Sequence, residues 1–318
     1  MITATVVLCT YNRHRSLANA LNSIAASTVP ESYEWEVLVV DNNSHDQTRD
    51  VIEDFCRRYP GRFRYLFEAQ QGKSYALNAG IREARGDILA FTDDDVVVEP
   101  GWLANLTRPL CDREWAGCAG RTLPEQGFSP PRWLSLENRH ALAPLGVFDL
   151  GLEAREITVS PFGDNMAFRK AMFDEYGGFR TDLGPRAGSG EPQKSEDSEF
   201  ASRLLAAGER FRYEPSAIVY HSVPENRVQR RYFLAWWFDK ARSDTRISGF
   251  RSKTKYCCWG VPLYLYRNLA VWTLRWLLTF ESSKRFSHKL AVFTKAGEIS
   301  EYYRHSLETK RRREKSNV

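Results

Sequence analysis

Three aspartates, Asp93, Asp94 and Asp95, follow the apolar run 87–91 with only Thr92 between. Neighbouring carboxylates at the end of a buried strand repel one another unless a positive charge joins them. A divalent cation is one such partner, since Mg²⁺ is commonly held by one or two carboxylates plus substrate phosphates. A solvated acidic turn is the other reading of the triplet. Asp41 closes a second apolar run, 36–40. It can accept a hydrogen bond from a base N–H or a ribose hydroxyl, or it can be a turn aspartate. Gly72-Lys73 stands at the start of a helical pattern, where N–H groups attract phosphate, but the spacing of a P-loop is absent. Glu196-Asp197 opens another helical pattern. Such carboxylates complement the helix dipole, or Asp197 takes a proton from a hydroxyl as a general base. His221 ends the short apolar run 217–220, as a structural histidine or as a metal ligand.

The elements that must hold these residues alternate in period. Strands are expected at 5–9, 36–40, 63–68 and 87–91. Helices are expected from 16 (capped by Ser16) to 26, from a cap at Asp46 to 58, over 74–85, and after Pro100. Strands alternating with helices predict an α/β fold: a mostly parallel sheet flanked by helices. Ligands bind such sheets at the carboxyl ends of the strands. Three of these strands end in polar clusters, Thr10-Tyr11-Asn12-Arg13, Asp41-Asn42-Asn43-Ser44 and Thr92-Asp93-Asp94-Asp95. That shared placement builds a site. Residues 120–160 read as irregular. Gly and Pro in 186–194 read as a mobile loop, a helix follows over 196–207, and a last short strand over 217–220.

Length and charge set outer limits. The 318 residues, 42% hydrophobic and 27% charged, are enough for two domains and exclude a disordered or fibrous chain. The net charge of +5 is unevenly spread. Residues 251–318 carry +10 and residues 1–250 carry −5, so the basic end suits an anionic surface. The six cysteines form no CxxC pair and no zinc spacing, and read as reduced thiols of a cytoplasmic protein. The first residues read as a strand instead of a signal peptide. No run reaches the ~18 apolar residues of a spanning helix; the nearest, 261–280, is broken by Arg267, Asn268 and Arg275.

In order along residues 4–222, the segments TYNR, VVDNNS, GKSYALNAGI, FTDDDV, GDNMAFRK, YGGFR, EDSEFASRLLAAG and YEPSAIVYH resemble those of family 2 glycosyltransferases. The resemblance implies a GT-A fold and an inverting transfer from a nucleoside-diphosphate sugar, UDP- or dTDP-linked, to a hydroxyl of a glycan or lipid-linked glycan. It implies that Thr10, Tyr11 and Arg13 line the nucleotide pocket and that Asp41 meets the base. Lys73 and Asn78 would border the nucleoside and diphosphate, Asp93 and Asp94 of the DxD-like motif the donor, and Asn165 the donor sugar and acceptor. Asp95 would hold a divalent cation, Mg²⁺ or Mn²⁺, His221 would approach that metal or the diphosphate, and Asp197 would be the base. Two rivals remain: a sugar-phosphate nucleotidyltransferase, which would carry a Gly-rich basic signature in place of TYNR, and a non-catalytic nucleotide-sugar sensor. No nucleic-acid-binding motif is present, so nucleic acid is not expected as a partner.

The catalytic domain is expected over 1–225 and a helical, basic extension over 226–318. Gln229-Arg230-Arg231-Tyr232-Phe233 only partly matches the QxxRW motif of processive synthases, which points to single addition. Val261, Leu265, Leu269, Trp272 and Trp276 recur at helical spacing. This apolar stripe and the polybasic end suggest a helix lying on an anionic membrane surface, peripheral on the cytoplasmic face. A helical appendage packed on protein is the alternative.

Overall fold

The computed structural model describes residues 1–131, 133–134, 142–186, 195–250 and 254–316, with side chains to 310. The chain divides into two compact units. One comprises Met1–Phe128, Gly146–Ser189 and Glu196–Val223; the other comprises Ser129–Leu145, Gly190–Ser195 and Pro224–Val318.

The first unit is built on one large sheet. Its first half is β1 (Ile2–Thr10), β2 (Tyr33–Asp41), β3 (Phe63–Phe67) and β4 (Ile88–Asp93), in the order β3-β2-β1-β4 and all parallel. Helices α1 (His14–Ala25), α2 (Thr48–Arg58) and α3 (Lys73–Glu83) make the crossovers. The strands are near-continuous apolar runs because both faces are covered. Val6, Leu8, Val37 and Val39 pack with Leu17, Leu21, Ile24 and Ile52 on one face. Val7, Leu38 and Val40 pack with Leu77, Phe91 and Phe168 on the other.

The second half of the sheet adds β5 (Val96–Val98), β6 (Gly117–Pro124), β7 (Arg155–Ile157), β8 (Asn165–Arg169) and β9 (Phe211–His221). β8 runs antiparallel between β4 and β6, and β9 lies parallel to β6. β5 returns antiparallel beside β9, pairing Val96 with His221. Short helices α4 (Trp102–Thr107) and α5 (Ala171–Tyr176), and the longer α6 (Glu196–Ala206), flank this half.

Local details adjust the expected boundaries. α1 begins at His14, two residues before the expected cap, and Ser16 Oγ donates back to the Arg13 carbonyl. Asp46 does serve the start of α2: its Oδ1 accepts from the Thr48 N–H at 3.0 Å. The irregular stretch expected over 120–160 holds the end of β6 and all of β7. The loop expected to be mobile lies, from 187 to 194, outside the described residues.

The second unit contains α7 (Arg230–Ile247), a two-strand hairpin of β10 (Cys257–Cys258) and β11 (Val261–Pro262), α8 (Leu263–Leu278) and α9 (Ser282–Ser316). Glu301 of α9 is fully buried and bonds Arg242 and Arg246 of α7 and Arg304 of its own helix. Burial pushes this carboxyl up, but the hydrogen bonds from Arg246 and Arg304 outweigh it and hold it at about 2. The expected apolar stripe of α8 turns inward. Val261 and Leu265 are buried with Tyr302, Trp272 packs beside His288, and Lys289 lies over the Trp276 ring. The face that the stripe was expected to present to a membrane is therefore a protein-facing one.

Candidate active site

The sheet's rim brings most of the expected residues together. Thr10 ends β1, Asp41 ends β2 and Asp93 ends β4, in register: Thr10 pairs with Asp41, and Cys9 with Asp93. The strand tips therefore lie side by side.

The Asp93–Asp95 bend joins β4 to β5. Thr10 Oγ1 donates to Asp94 Oδ2 at 2.7 Å, and Arg13 Nη1 donates to Asp94 Oδ1 at 3.0 Å and Asp95 Oδ2 at 2.9 Å. Asp94 is pushed up to about 6 by burial, against the pull of Arg13. His221, ending β9, brings its Nε2 to 3.6 Å from Asp95 Oδ1. One ion at about 2.1 Å from each atom can span that gap. No group of three or more His, Cys, Asp or Glu side chains suited to a metal occurs among the described residues. Asp95 and His221 would offer two of the ligands that a divalent cation takes, fewer than a complete protein site. Gly146, at φ +74°, runs so close to the His221 ring that a Cβ there would lie 3.2 Å from it.

A second cluster centres on Lys73, the first residue of α3. Its Nζ lies 2.5 Å from Asp93 Oδ1. Burial would lower its pKa, but the carboxylates of Asp93 and Glu196 raise it, so the ammonium stays charged. Glu196, buried at the start of α6, is pushed up to about 7 by burial and by the adjacent Asp197. Asp197 Oδ2 accepts the Gly163 N–H at 2.9 Å and Oδ1 accepts the Ser198 N–H at 2.6 Å. A Cβ on Gly163 would lie 3.4 Å from Asp197 Oδ2 and 3.8 Å from Lys73 Nζ. The helix opened by Asp197 and the rim occupied by Asp93 therefore meet at Lys73.

Asp41 is buried; its Oδ1 accepts the Ser44 N–H and its Oδ2 the Tyr65 hydroxyl. The next residue, Asn42, shapes the approach to Lys73: its amide donates to the Glu68 and Gln70 carbonyls and its oxygen accepts the Gly72 N–H at 2.7 Å. Tyr11 follows Thr10 and is half-buried.

Two of the expected residues also tie parts of the scaffold together. Asn78 on α3 donates to the Phe179 carbonyl and accepts the Phe179 N–H, both at 2.8 Å, which fixes the 177–179 turn. Asn165 is buried; its oxygen takes the Trp102 indole N–H at 2.8 Å and its nitrogen donates to the Arg121 and Ala217 carbonyls. A Cβ on Gly120 would lie 2.4 Å from that amide, so only glycine fits. Both amides bond backbone or ring groups of the scaffold.

Sequence reasoning passed over Asp164. It is buried, accepts from Thr122 Oγ1 at 3.2 Å, and is held well above the usual carboxylate range by burial and by Asp93. Its position directly before Asn165 in GDNMAFRK was the available signal.

Residues 5–177 match the family described as Glycosyl transferase family 2. The chain is 27% identical over 257 residues to the succinoglycan biosynthesis protein ExoM of Rhizobium meliloti (strain 1021), covering 80% of this chain and 78% of that one. It is also 27% identical over 237 residues to the glucosyl-dolichyl phosphate glucuronosyltransferase of Haloferax volcanii, covering 73% and 74%. The mannosyltransferase PcManGT from Pyrobaculum calidifontis, solved with GDP-Man and Mn²⁺, has the same fold: TM-score 0.57 at 22% identity, over 93% of this chain and 74% of that one.

Proposed function

Because the chain belongs to glycosyl transferase family 2, we propose that it moves a sugar from a nucleoside-diphosphate sugar to an acceptor hydroxyl with inversion at the anomeric carbon. The observation that carries this reading is the meeting of Asp197 and Asp93 at Lys73. It supports the reading because a carboxylate near the strand tips of an α/β sheet lies at the edge where such sheets bind ligands.

In this reaction Asp197 takes the acceptor's proton as the oxygen attacks. The new C–O bond forms on the face opposite the leaving group, and the bond to the diphosphate breaks with its electrons going to the phosphate oxygen. The hydrogen bonds from Gly163 and Ser198 orient the carboxylate of Asp197. Arg13 and Lys73 supply positive charge beside the acidic bend, and Asp41 offers a carboxylate at the β2 tip to a base N–H. A divalent cation, Mg²⁺ or Mn²⁺, held by Asp95 and His221 would neutralise charge growing on the leaving diphosphate.

A base N–H facing Asp41 suits uracil, thymine and guanine alike, so GDP-sugars join UDP- and dTDP-sugars as candidate donors; PcManGT was solved with GDP-Man. The acceptor is read as a glycan or lipid-linked glycan of a cell-surface polysaccharide, and the reaction as cytoplasmic. The relatives named for succinoglycan biosynthesis and for transfer to glucosyl-dolichyl phosphate support this class.

A thermal-shift panel tests the reading: UDP-, dTDP- and GDP-sugars, each with Mn²⁺, with Mg²⁺ and with chelator. Ligands that bind the native state raise its apparent stability. One nucleotide class should stabilise the protein, and more so with metal. No shift with any of them would overturn the proposal.

A further inference from the structure

Helix α8 is apolar on two opposite faces. One face carries Leu265, Leu269, Trp272 and Trp276; Leu265 is buried and the other three are half-buried. The opposite face carries Leu263, Val271, Leu274, Leu277 and Leu278, with Phe280 just beyond, and all six are exposed. The three leucines at the C-terminal end are 56–65% exposed and Phe280 is 94% exposed. Exposed apolar side chains gathered on one face of a helix mark an interaction surface.

The charges around this face identify what covers it. Residues 254–280 contain three basic side chains, Lys255, Arg267 and Arg275, all exposed, and no Asp or Glu. Arg267 and Arg275 stand exposed on α8 itself. Tyr256 and Trp259 are about three-quarters exposed at the β10–β11 hairpin that leads into the helix. Amphipathic rings of this kind favour the boundary between water and lipid. Self-pairing of two copies through this face would set basic side chains against basic side chains. No helix among the described residues is long and apolar enough to cross a membrane.

We propose that α8 lies flat on an anionic lipid surface. Leu274, Leu277, Leu278 and Phe280 enter the acyl boundary, Arg267 and Arg275 meet headgroup phosphates, and Tyr256 and Trp259 sit at headgroup depth. The lipid-facing side is thus the one opposite the Trp272–Trp276 stripe.

Flotation with phosphatidylcholine vesicles, with and without phosphatidylglycerol, tests it on the full chain. The wild type should float with the anionic vesicles and remain unbound by the neutral ones. Leu274→Glu with Leu277→Glu should reduce bound protein by about tenfold or more. Its melting temperature and donor-induced thermal shift should stay unchanged, because both leucines are exposed and neither belongs to the unit that carries the catalytic residues. Arg267→Gln with Arg275→Gln should weaken binding and reduce its salt sensitivity. A wild type that fails to float with anionic vesicles, or a double glutamate variant that floats as well as wild type, would overturn the proposal. So would a wild-type dimer that the glutamates dissociate without changing flotation.

Discussion

The Gly163 N–H donates to Asp197 Oδ2 at 2.9 Å, and a Cβ added at Gly163 would lie 3.8 Å from Lys73 Nζ. One glycine therefore borders both the proposed base and the cation that balances the surrounding carboxylates. The carboxylate plane of Asp197 is fixed by backbone groups on both oxygens, so its orientation survives changes in neighbouring side chains.

Asp197→Asn preserves shape and removes basicity. Transfer should fall by about 10²–10⁴-fold, the usual worth of a general base, while the thermal shift caused by donor persists. Product formation measured beside that shift checks both halves. A rate within a few-fold of wild type would remove the assignment.

Asp95→Ala takes away one of two proposed cation ligands and one of Arg13's two carboxylate partners. Donor affinity should lose its dependence on Mn²⁺ or Mg²⁺, as read by calorimetry with and without chelator. Affinity that is metal-independent already in the wild type would argue against a cation at this bend.

Asn165→Ala should cost stability by about 2–4 kcal/mol, because the Trp102 indole N–H and two buried carbonyls lose their partner. Urea unfolding reads the loss. If Asn165 touched the donor instead, the variant would keep its stability and lose nucleotide-sugar affinity.

Glu196 makes stability depend on pH. Its carboxyl titrates near 7 in the folded chain against 4.5 as an ordinary glutamate, so the folded state holds this proton more tightly than the unfolded one. The favourable contribution is complete below pH 4.5 and declines as pH rises to 7. Glu196→Gln removes the titration. The melting temperature of the variant relative to wild type should therefore rise between pH 5 and pH 8, and a constant difference would contradict this role.

Much of the first half of the sheet was legible because parallel strands buried on both faces leave unbroken apolar runs, each closed by a polar cluster. Thr10, Asp41 and Asp93 were readable as rim residues for that reason. The second half was harder. β5 and β7 are three residues each, too short for a period to emerge, and β8 sits between strands distant in sequence. Asn78 and Asn165 carried no local sign that Phe179, Trp102 or Ala217 would bond their amides. The stripe on α8 was periodic as expected, but period alone does not say which of two apolar sides meets α9. His14, bonded to Asp46 at 2.8 Å, ties the first two rim loops together and carried no sequence signal.

Asp93 is the last residue of β4 and Val96 the first of β5, so the two residues between them are clamped at both ends by ladder hydrogen bonds to different neighbours. Such a span has almost no slack. It behaves as a rivet, and its geometry is settled when the chain folds. Lengthening it by one residue would therefore do more harm than neutralising either of its charges, because the extra residue would drag Val96 out of step with His221.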